Sequence, residues 1–379
     1  MSRNVEDVNE DRIAREFIRL AEIASPSFRE REVADYVKYR FDQLGLEVME
    51  DDTGDKIGGD CGNIYARLPG EKNRPAFFLC SHMDTVNPAN GVKVEFKEGV
   101  FRSEGSTILG GDDKGGIAAI LEMLEMLRHQ PLAHGDLEIL LTVAEERGLL
   151  GSKNFDCDRL QSKFGYVLDS SGNPGTMVVA APAQNLMDII VRGRAAHAGI
   201  EPERGINAIQ VAGQALAQLT LGRIDAETTA NMGVIEGGKA TNIIPDSCFI
   251  QGEVRSLDRK KMDSLTTQIT SEFTRVAEAA GARSEVRVTF QYPEFRLNKS
   301  LKAFKIAAKA AGKAGLKISY ETSGGGSDAN IINASGKTAA NLGIGMKQVH
   351  TTEEFLILSD LAADARWLWE IVRLNAGLS

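Results

Sequence analysis

The stretch PAFFLCSHMDT, residues 75–85, has an apolar core with none of the polar alternation of a half-exposed strand. A strand of this kind is covered on both faces, which is the situation of a parallel sheet with helices on either side. Its neighbours keep the same style. GIAAILEMLEMLRHQ (116–130) is a helix apolar on most sides and therefore buried. After it come a strand in DLEILLTVA, a helical LLGSKNFDC and a strand in FGYVLDSSG. Strand–helix–strand alternation predicts an α/β fold with a mostly parallel mixed sheet. Upstream, residues 10–46 carry apolar residues at helical spacing, and Gly45 suits the helix stop.

From about residue 183 the pattern changes. It reads strand LMDIIVRG, helix GINAIQVAGQALAQL, strands TANMGVIEG and SCFIQGEVRS, helix KKMDSLTTQITSEFTRVAEAAG and strand SEVRVTFQYP. This β-α-β-β-α-β order is that of ferredoxin-like α+β domains. After Pro293 the helix KAFKIAAKAAGKAG and the strand TAANLGIG return to the first style. The simplest organisation is an inserted domain over 183–292 within a discontinuous α/β domain of residues 1–182 and 293–379.

At 379 residues there is chain enough for both cores. The formal charge of -9 and the lack of a basic block argue against a nucleic-acid partner. No apolar run approaches the ~20 residues that span a bilayer, so no membrane association is expected. The acidic, amphipathic start lacks the features of a secretory signal. Four cysteines without CxxC spacing read as reduced packing residues, and a cytoplasmic location is expected.

Segments of the α/β part end in metal-capable side chains. FFLCSHMDT offers His82 and Asp84, ILGGDDKGG offers Asp112 and Asp113, LLTVAEERG offers Glu145 and Glu146, and YVLDSSG offers Asp169. IGMKQVHTTEEF places His350 in a loop after the last expected strand. Each has a plain structural alternative: a core-edge histidine, aspartates capping a helix near Lys114, acids in a first helical turn, a turn residue, a solvated loop histidine. Ligands in open α/β sheets bind beyond the carboxyl ends of strands, where these groups could converge. Carboxylates gathered there without cations repel one another, and one or two divalent ions remove the conflict. Imidazole and carboxylate without thiolate suit Zn²⁺, Mn²⁺ or Co²⁺, with ligands enough for two ions sharing a carboxylate. Asp84, two residues after His82, is placed to accept the other imidazole N–H.

His-x-Asp-Thr-Val, Gly-Gly-Asp-Asp-Lys-Gly-Gly, Glu-Glu, a strand ending in Asp and a late His together resemble the dizinc exopeptidases. That family includes peptidase T, aminoacylase, carboxypeptidase G2 and succinyl-diaminopimelate desuccinylase. The resemblance spans nearly the whole chain and implies a zinc-exopeptidase-type catalytic domain carrying a lid and dimerisation domain. It implies two Zn²⁺ per subunit, with Co²⁺ or Mn²⁺ as substitutes, and a homodimer formed through the lid. Asp112 would be the bridging carboxylate, His82 and Asp169 ligands of one ion, and Glu146 and His350 ligands of the other. Glu145 would be the general base for the metal-bridging water, and Asp84 would orient His82. In RGRAAHAGIEPERGINAI, His197 matches a lid histidine that polarises the scissile carbonyl in the partner subunit's site. Asn242 in KATNIIPDS and Arg255 in QGEVRSLD match lid segments that hold substrate. Gly325 and Gly326 in ETSGGGSDAN match a loop that binds substrate through backbone amides.

Asp-Asp-Lys at 112–114, Asp at 169 and His-Thr-Thr-Glu-Glu at 350–354 resemble the peptidase T-like branch. The expected activity is therefore a cytosolic aminopeptidase acting on tripeptides or other short peptides. An N-acyl-amino-acid amidohydrolase or carboxypeptidase on the same centre is the enzymatic alternative. A non-catalytic peptide- or metal-binding protein is the third reading, disfavoured by a base, Glu145, for which it has no use.

Overall fold

The computed structural model describes residues 8–378. The chain divides into two compact units, the smaller formed by Ala180–Phe295 with Gly324–Gly326 and the larger by the remainder.

The larger unit is built on a mixed sheet. Its order runs Glu47–Glu50, Ile64–Leu68, Leu137–Thr142, Phe77–His82, Phe164–Ser170, Thr338–Gly343, Thr176–Ala181. The four strands from Leu137–Thr142 to Thr338–Gly343 run parallel, and the outer ones are antiparallel. Every residue of Phe77–His82 and of Leu137–Thr142 is buried, as the apolar runs require of strands covered on both faces. Helix Gly111–His129 is buried along nearly its whole length, and Asp112 and Asp113 within it depart from helical φ/ψ, so regular helix begins at Lys114. Helices Glu10–Glu22 and Leu358–Asn375 share its hydrophobic core. The N-terminal helical region is two helices, Glu10–Glu22 and Arg31–Gln43, the second followed by Gly45 at φ +79°. A small sheet of Val94–Lys97, Val100–Ser103 and Phe355–Ile357 had no clear signature in the sequence.

The smaller unit has four long antiparallel strands. Thr228–Gly237, Ser247–Ser256, Ala183–Arg192 and Arg283–Tyr292 lie side by side in that order. In chain order this is 2-3-1-4, the ferredoxin-like arrangement. Alternate residues of Ala183–Arg192 and Ser247–Ser256 are buried, and Met187, Ile189, Val191, Ile250 and Val254 form a core with helices Ala208–Gln218 and Arg259–Ala279. No helix among the described residues is long and apolar enough to cross a membrane.

Candidate metal centre

Parallel strands deliver their carboxyl ends to one edge of a sheet, and in the larger unit that edge gathers the candidate ligands. His82 closes its strand, Asp169 lies one residue from the end of its own, and Glu145 and Glu146 open a short 3-10 turn after Thr142. That turn is held by four consecutive backbone N–H groups. Val143 donates to Asn63 Oδ1 at 3.1 Å, Ala144 to Glu30 Oε1 at 2.9 Å, and Glu145 and Glu146 to the two oxygens of Asp84 at 2.8 and 3.2 Å. Ala144 sits at φ +47°, a conformation that a non-glycine residue keeps only when its surroundings enforce it.

His82 Nε2 lies 3.0 Å from Asp112 Oδ1 and 4.0 Å from Asp169 Oδ1. His350 Nε2 lies 3.2 Å from Asp112 Oδ2 and 2.9 Å from Glu146 Oε1. Ligand atoms of His82, Asp112 and Asp169 fall within 4.8 Å of one another, as do those of Asp112, Glu146 and His350 and those of His82, Glu145 and Glu146. Asp112 belongs to two of these trios and turns one oxygen towards each imidazole. His82 is 1% exposed, whereas the His350 side chain is 51% exposed.

Asp84 differs in detail from the expectation. His82 Nδ1 meets its main-chain carbonyl at 2.9 Å, and its carboxylate oxygen only at 3.5 Å. The carboxylate is instead committed to the Glu145–Glu146 turn and to the hydroxyl of Ser27 at 2.7 Å. A single aspartate thus orients the imidazole through its backbone and the Glu145–Glu146 turn through its side chain.

The electrostatics are those of a site short of positive charge. Burial, then the charge of Asp169, pushes the Glu145 carboxyl well above its usual range. Burial and Asp112 do the same to Asp169. Burial opposes charge on His82, but Asp112 and Asp84 outweigh it and hold the imidazole well above its ordinary value. His350 is drawn up to about 10 by Asp112 and Glu146. Lys114, the nearest lysine in sequence, offers no remedy: it is buried, lowered to about 7, and its Nζ donates to the carbonyl of Ile23 at 2.6 Å. Glu146 Oε1 and Asp113 Oδ1 are buried without a hydrogen-bond partner. Glu146 Oε1 is close to His350 Nε2 yet not in hydrogen-bond geometry, as when two ligand atoms face a common third point. The donor set is imidazole nitrogen and carboxylate oxygen, and it fits borderline divalent cations.

The remaining candidates belong to the smaller unit, at opposite ends of its sheet. His197 and Asn242 lie beyond the end marked by the Arg192–Ser247 pair. There Ala198 N–H donates to the Asn242 carbonyl at 3.0 Å, and exposed His197 accepts the N–H of Gly199 at Nδ1, 3.2 Å. Arg255 lies at the other end, paired with Gln184. Its guanidinium forks onto Glu253 at 2.9 and 3.0 Å and reaches the Gly324 carbonyl at 3.4 Å, beside Gly325. Gly326 donates to the Tyr292 hydroxyl at 3.2 Å, and a Cβ there would lie 2.3 Å from the ring, so only glycine fits. From Ser247 to Arg255 is eight residues of strand, about 26 Å at 3.3 Å each. His197 and Arg255 of one chain cannot touch the same tripeptide.

Two supporting residues, Asn341 and Asp328, escaped the sequence reading, and Asp113, a metal-capable candidate by sequence, supports its neighbours in the same way. Asn341 grips the main chain of Asp169 on both sides, at 3.0 and 2.8 Å. Asp113 takes the Ser81 hydroxyl at 2.5 Å and the His82 N–H at 3.2 Å. Asp328 takes the Thr142 hydroxyl at 2.5 Å. The local signal for Asn341 was a polar residue in the otherwise apolar TAANLGIG; Asp328, in the polar ETSGGGSDAN, had none.

The fold gathers a candidate metal-binding donor set at the carboxyl edge of its parallel strands, the arrangement of a hydrolase centre. Residues 63–198 match peptidase family M28 and residues 186–280 match the peptidase dimerisation domain. The Bacillus subtilis protein YqjE is 42% identical over 96% of this chain and 98% of its own. The aminopeptidase PepT of Bacillus cereus is 40% identical, with a TM-score of 0.88 over 97% of this chain and 99% of its own. A Staphylococcus aureus tripeptidase is 37% identical, with a TM-score of 0.93 over 98% of this chain and 99% of its own. The chain belongs to the dizinc exopeptidase family, and it is a hydrolase of the exopeptidase class.

Proposed function

We propose that this protein is a peptidase T-like aminopeptidase that removes the N-terminal residue of tripeptides. The observation that carries the reading is the full-length likeness to an aminopeptidase and to a tripeptidase, each more than a third identical. The reading includes two Zn²⁺ ions per subunit, replaceable by Co²⁺ or Mn²⁺: His82, Asp112 and Asp169 would hold one, and Asp112, Glu146 and His350 the other. When bound, the ions would polarise the scissile carbonyl and lower the pKa of the attacking water.

The chain's own residues supply the rest. Glu145 accepts the proton from that water and returns it to the leaving amine, held in place by the turn that opens at its own residue. Asp84 fixes the turn that carries Glu145, and Asn341 fixes the backbone of Asp169. His197 stabilises the negative charge developing on the carbonyl oxygen. Asn242, Arg255, Gly325 and Gly326 bind the peptide.

The separation of His197 from Arg255 supports a homodimer in which the lid of one subunit lends His197 to its partner. A cytoplasmic location is part of the same reading, in keeping with four free cysteines. The direction of attack is tested by incubating the metal-loaded protein with Ala-Ala-Ala and N-acetyl-Ala-Ala-Ala and identifying products by mass. Release of Ala and Ala-Ala, with the blocked peptide much poorer, is expected. Faster cleavage of the blocked peptide, or loss of the C-terminal residue first, would move the activity to an amidohydrolase or carboxypeptidase.

A further inference from the structure

Glu354 belongs to none of the ligand trios, yet it ties two of their loops together. Its side chain is almost fully buried, and its carboxylate is spent on main chain. Oε2 accepts the N–H groups of Leu109 and Gly110 at 2.9 and 2.8 Å, and Oε1 accepts that of Asp112 at 3.0 Å. Both oxygens therefore clamp the four residues that end in the shared carboxylate. Gly110 suits this segment by its backbone and Gly111 by its closeness to the clamp. Gly110 takes φ +79°, and a Cβ on Gly111 would meet Glu354 Oε1 at 3.0 Å.

The other end of Glu354 is as firmly placed. Lys347 and Phe355 exchange two backbone hydrogen bonds, each 3.1 Å, closing a loop that contains His350. Phe355 in turn pairs with Arg102 in the small sheet. Within that loop Gln348 and His350 both hold positive φ, 53° and 64°. Thr351 braces the loop internally, its hydroxyl donating to the Gln348 carbonyl at 2.7 Å and accepting the Glu353 N–H at 3.2 Å, but these bonds do not tie the loop to the segment of Asp112. Glu354, at the base of the loop, is what registers it against the segment of Asp112.

We propose that Glu354 is a positioning residue that sets the Asp112 carboxylate against the His350 imidazole, and so determines the affinity of the ion these two share. The inference rests on the reading of Asp112, Glu146 and His350 as ligands. A glutamine at 354 must turn its NH₂ towards backbone N–H donors whichever way the amide is flipped, so one or two of the three hydrogen bonds are lost at constant shape.

The test is equilibrium dialysis of metal-stripped protein against Zn²⁺, with ions per chain counted by mass spectrometry, alongside thermal melts of the metal-free forms. Glu354→Gln should bind one of its ions about 10–100-fold more weakly, as loss of a group that orients a ligand does, while Glu354→Asp, which keeps both oxygens, recovers part of the loss. Wild-type affinity in Glu354→Gln, even with a lowered melting temperature, overturns the proposal, because a purely structural buttress would change only the melt. If Glu354→Gln does not fold, Glu354→Asp carries the same criterion. His350→Ala separates the two layers of the argument. Undiminished Zn²⁺ binding in His350→Ala contradicts the ligand assignment. Loss in His350→Ala with none in Glu354→Gln contradicts only the role of Glu354.

Discussion

The edge of the large sheet and the ends of the small one carry functional candidates in opposite ways. At the large sheet, His82, Asp84, Asp112 and Glu145 are buried, and the main chain beneath them is pinned by Asn63, Glu30, Asn341 and Glu354. At the small sheet, His197 and Asn242 are exposed on a loop pair held mainly by backbone hydrogen bonds. Chemistry that depends on charge in a dry site needs groups held to a fraction of an ångström, and buried strand ends supply that. Groups proposed to reach the substrate of a partner subunit need access, and the exposed end that carries His197 and Asn242 supplies it.

Substitutions should separate the two regions cleanly. The largest effect is expected at Glu145→Gln, with kcat lowered about 10²–10⁴-fold and ions per chain unchanged. Glu146→Gln, one residue on, should lose an ion instead. Equal loss of metal in both variants would mean the two roles are wrongly divided. Next comes His197→Ala, expected to lower kcat about 10²–10³-fold, the range for one oxyanion donor, with Zn²⁺ binding untouched; a change in metal affinity would break the separation of the two regions. Arg255→Ala should act mainly on KM, raising it about tenfold for a tripeptide if it removes binding common to ground and transition states. A pure kcat effect would place Arg255 in the chemistry instead.

The smallest effect on turnover is expected at Glu30, which sharpens the comparison through stability. Its fully buried carboxyl is raised from 4.5 to about 7, first by burial and then by the charge of Asp84. A carboxyl with a raised folded-state pKa binds more protons in the native state, so its contribution favours folding at pH 4.5 and is lost as the pH rises towards 7. Glu30→Gln, which keeps an oxygen for Ala144 N–H, should remove that loss. Urea unfolding of the metal-free protein should show the variant about 1–3 kcal/mol more stable than wild type at pH 8 and equal to it at pH 4.5. The opposite ordering would mean that Glu30 is ionised and stabilising in its site.

What could be read from the amino-acid order follows the same division. The strands and the edge they share were legible, because a doubly covered strand is uniformly apolar and a candidate site residue follows it directly, as His82 follows FFLCS and Glu145 follows LLTVA. The ferredoxin-like order of the smaller unit was legible from its β-α-β-β-α-β succession, whose strands bury alternate residues. The clamps were not. Glu30 lies 114 residues from the N–H it holds and Glu354 lies 242 from Asp112, and no local pattern announces such a partner. Asp84 shows the limit in miniature: its closeness to His82 was evident, but its carboxylate turned to a 3-10 turn that arrives 61 residues later. The sheet containing Phe355–Ile357 was missed because its strands are of three or four residues, too short for a period to register.

The central claim is that the buried centre of one subunit is completed by the exposed lid of another. Co-expressing a His197→Ala chain with a Glu145→Gln chain tests it directly, since each parent dimer is defective at both sites. With statistical pairing, half of the dimers are mixed and each has one intact site, so the purified mixture should show about a quarter of wild-type activity on Ala-Ala-Ala. A mixture no more active than its parents would contradict the claim.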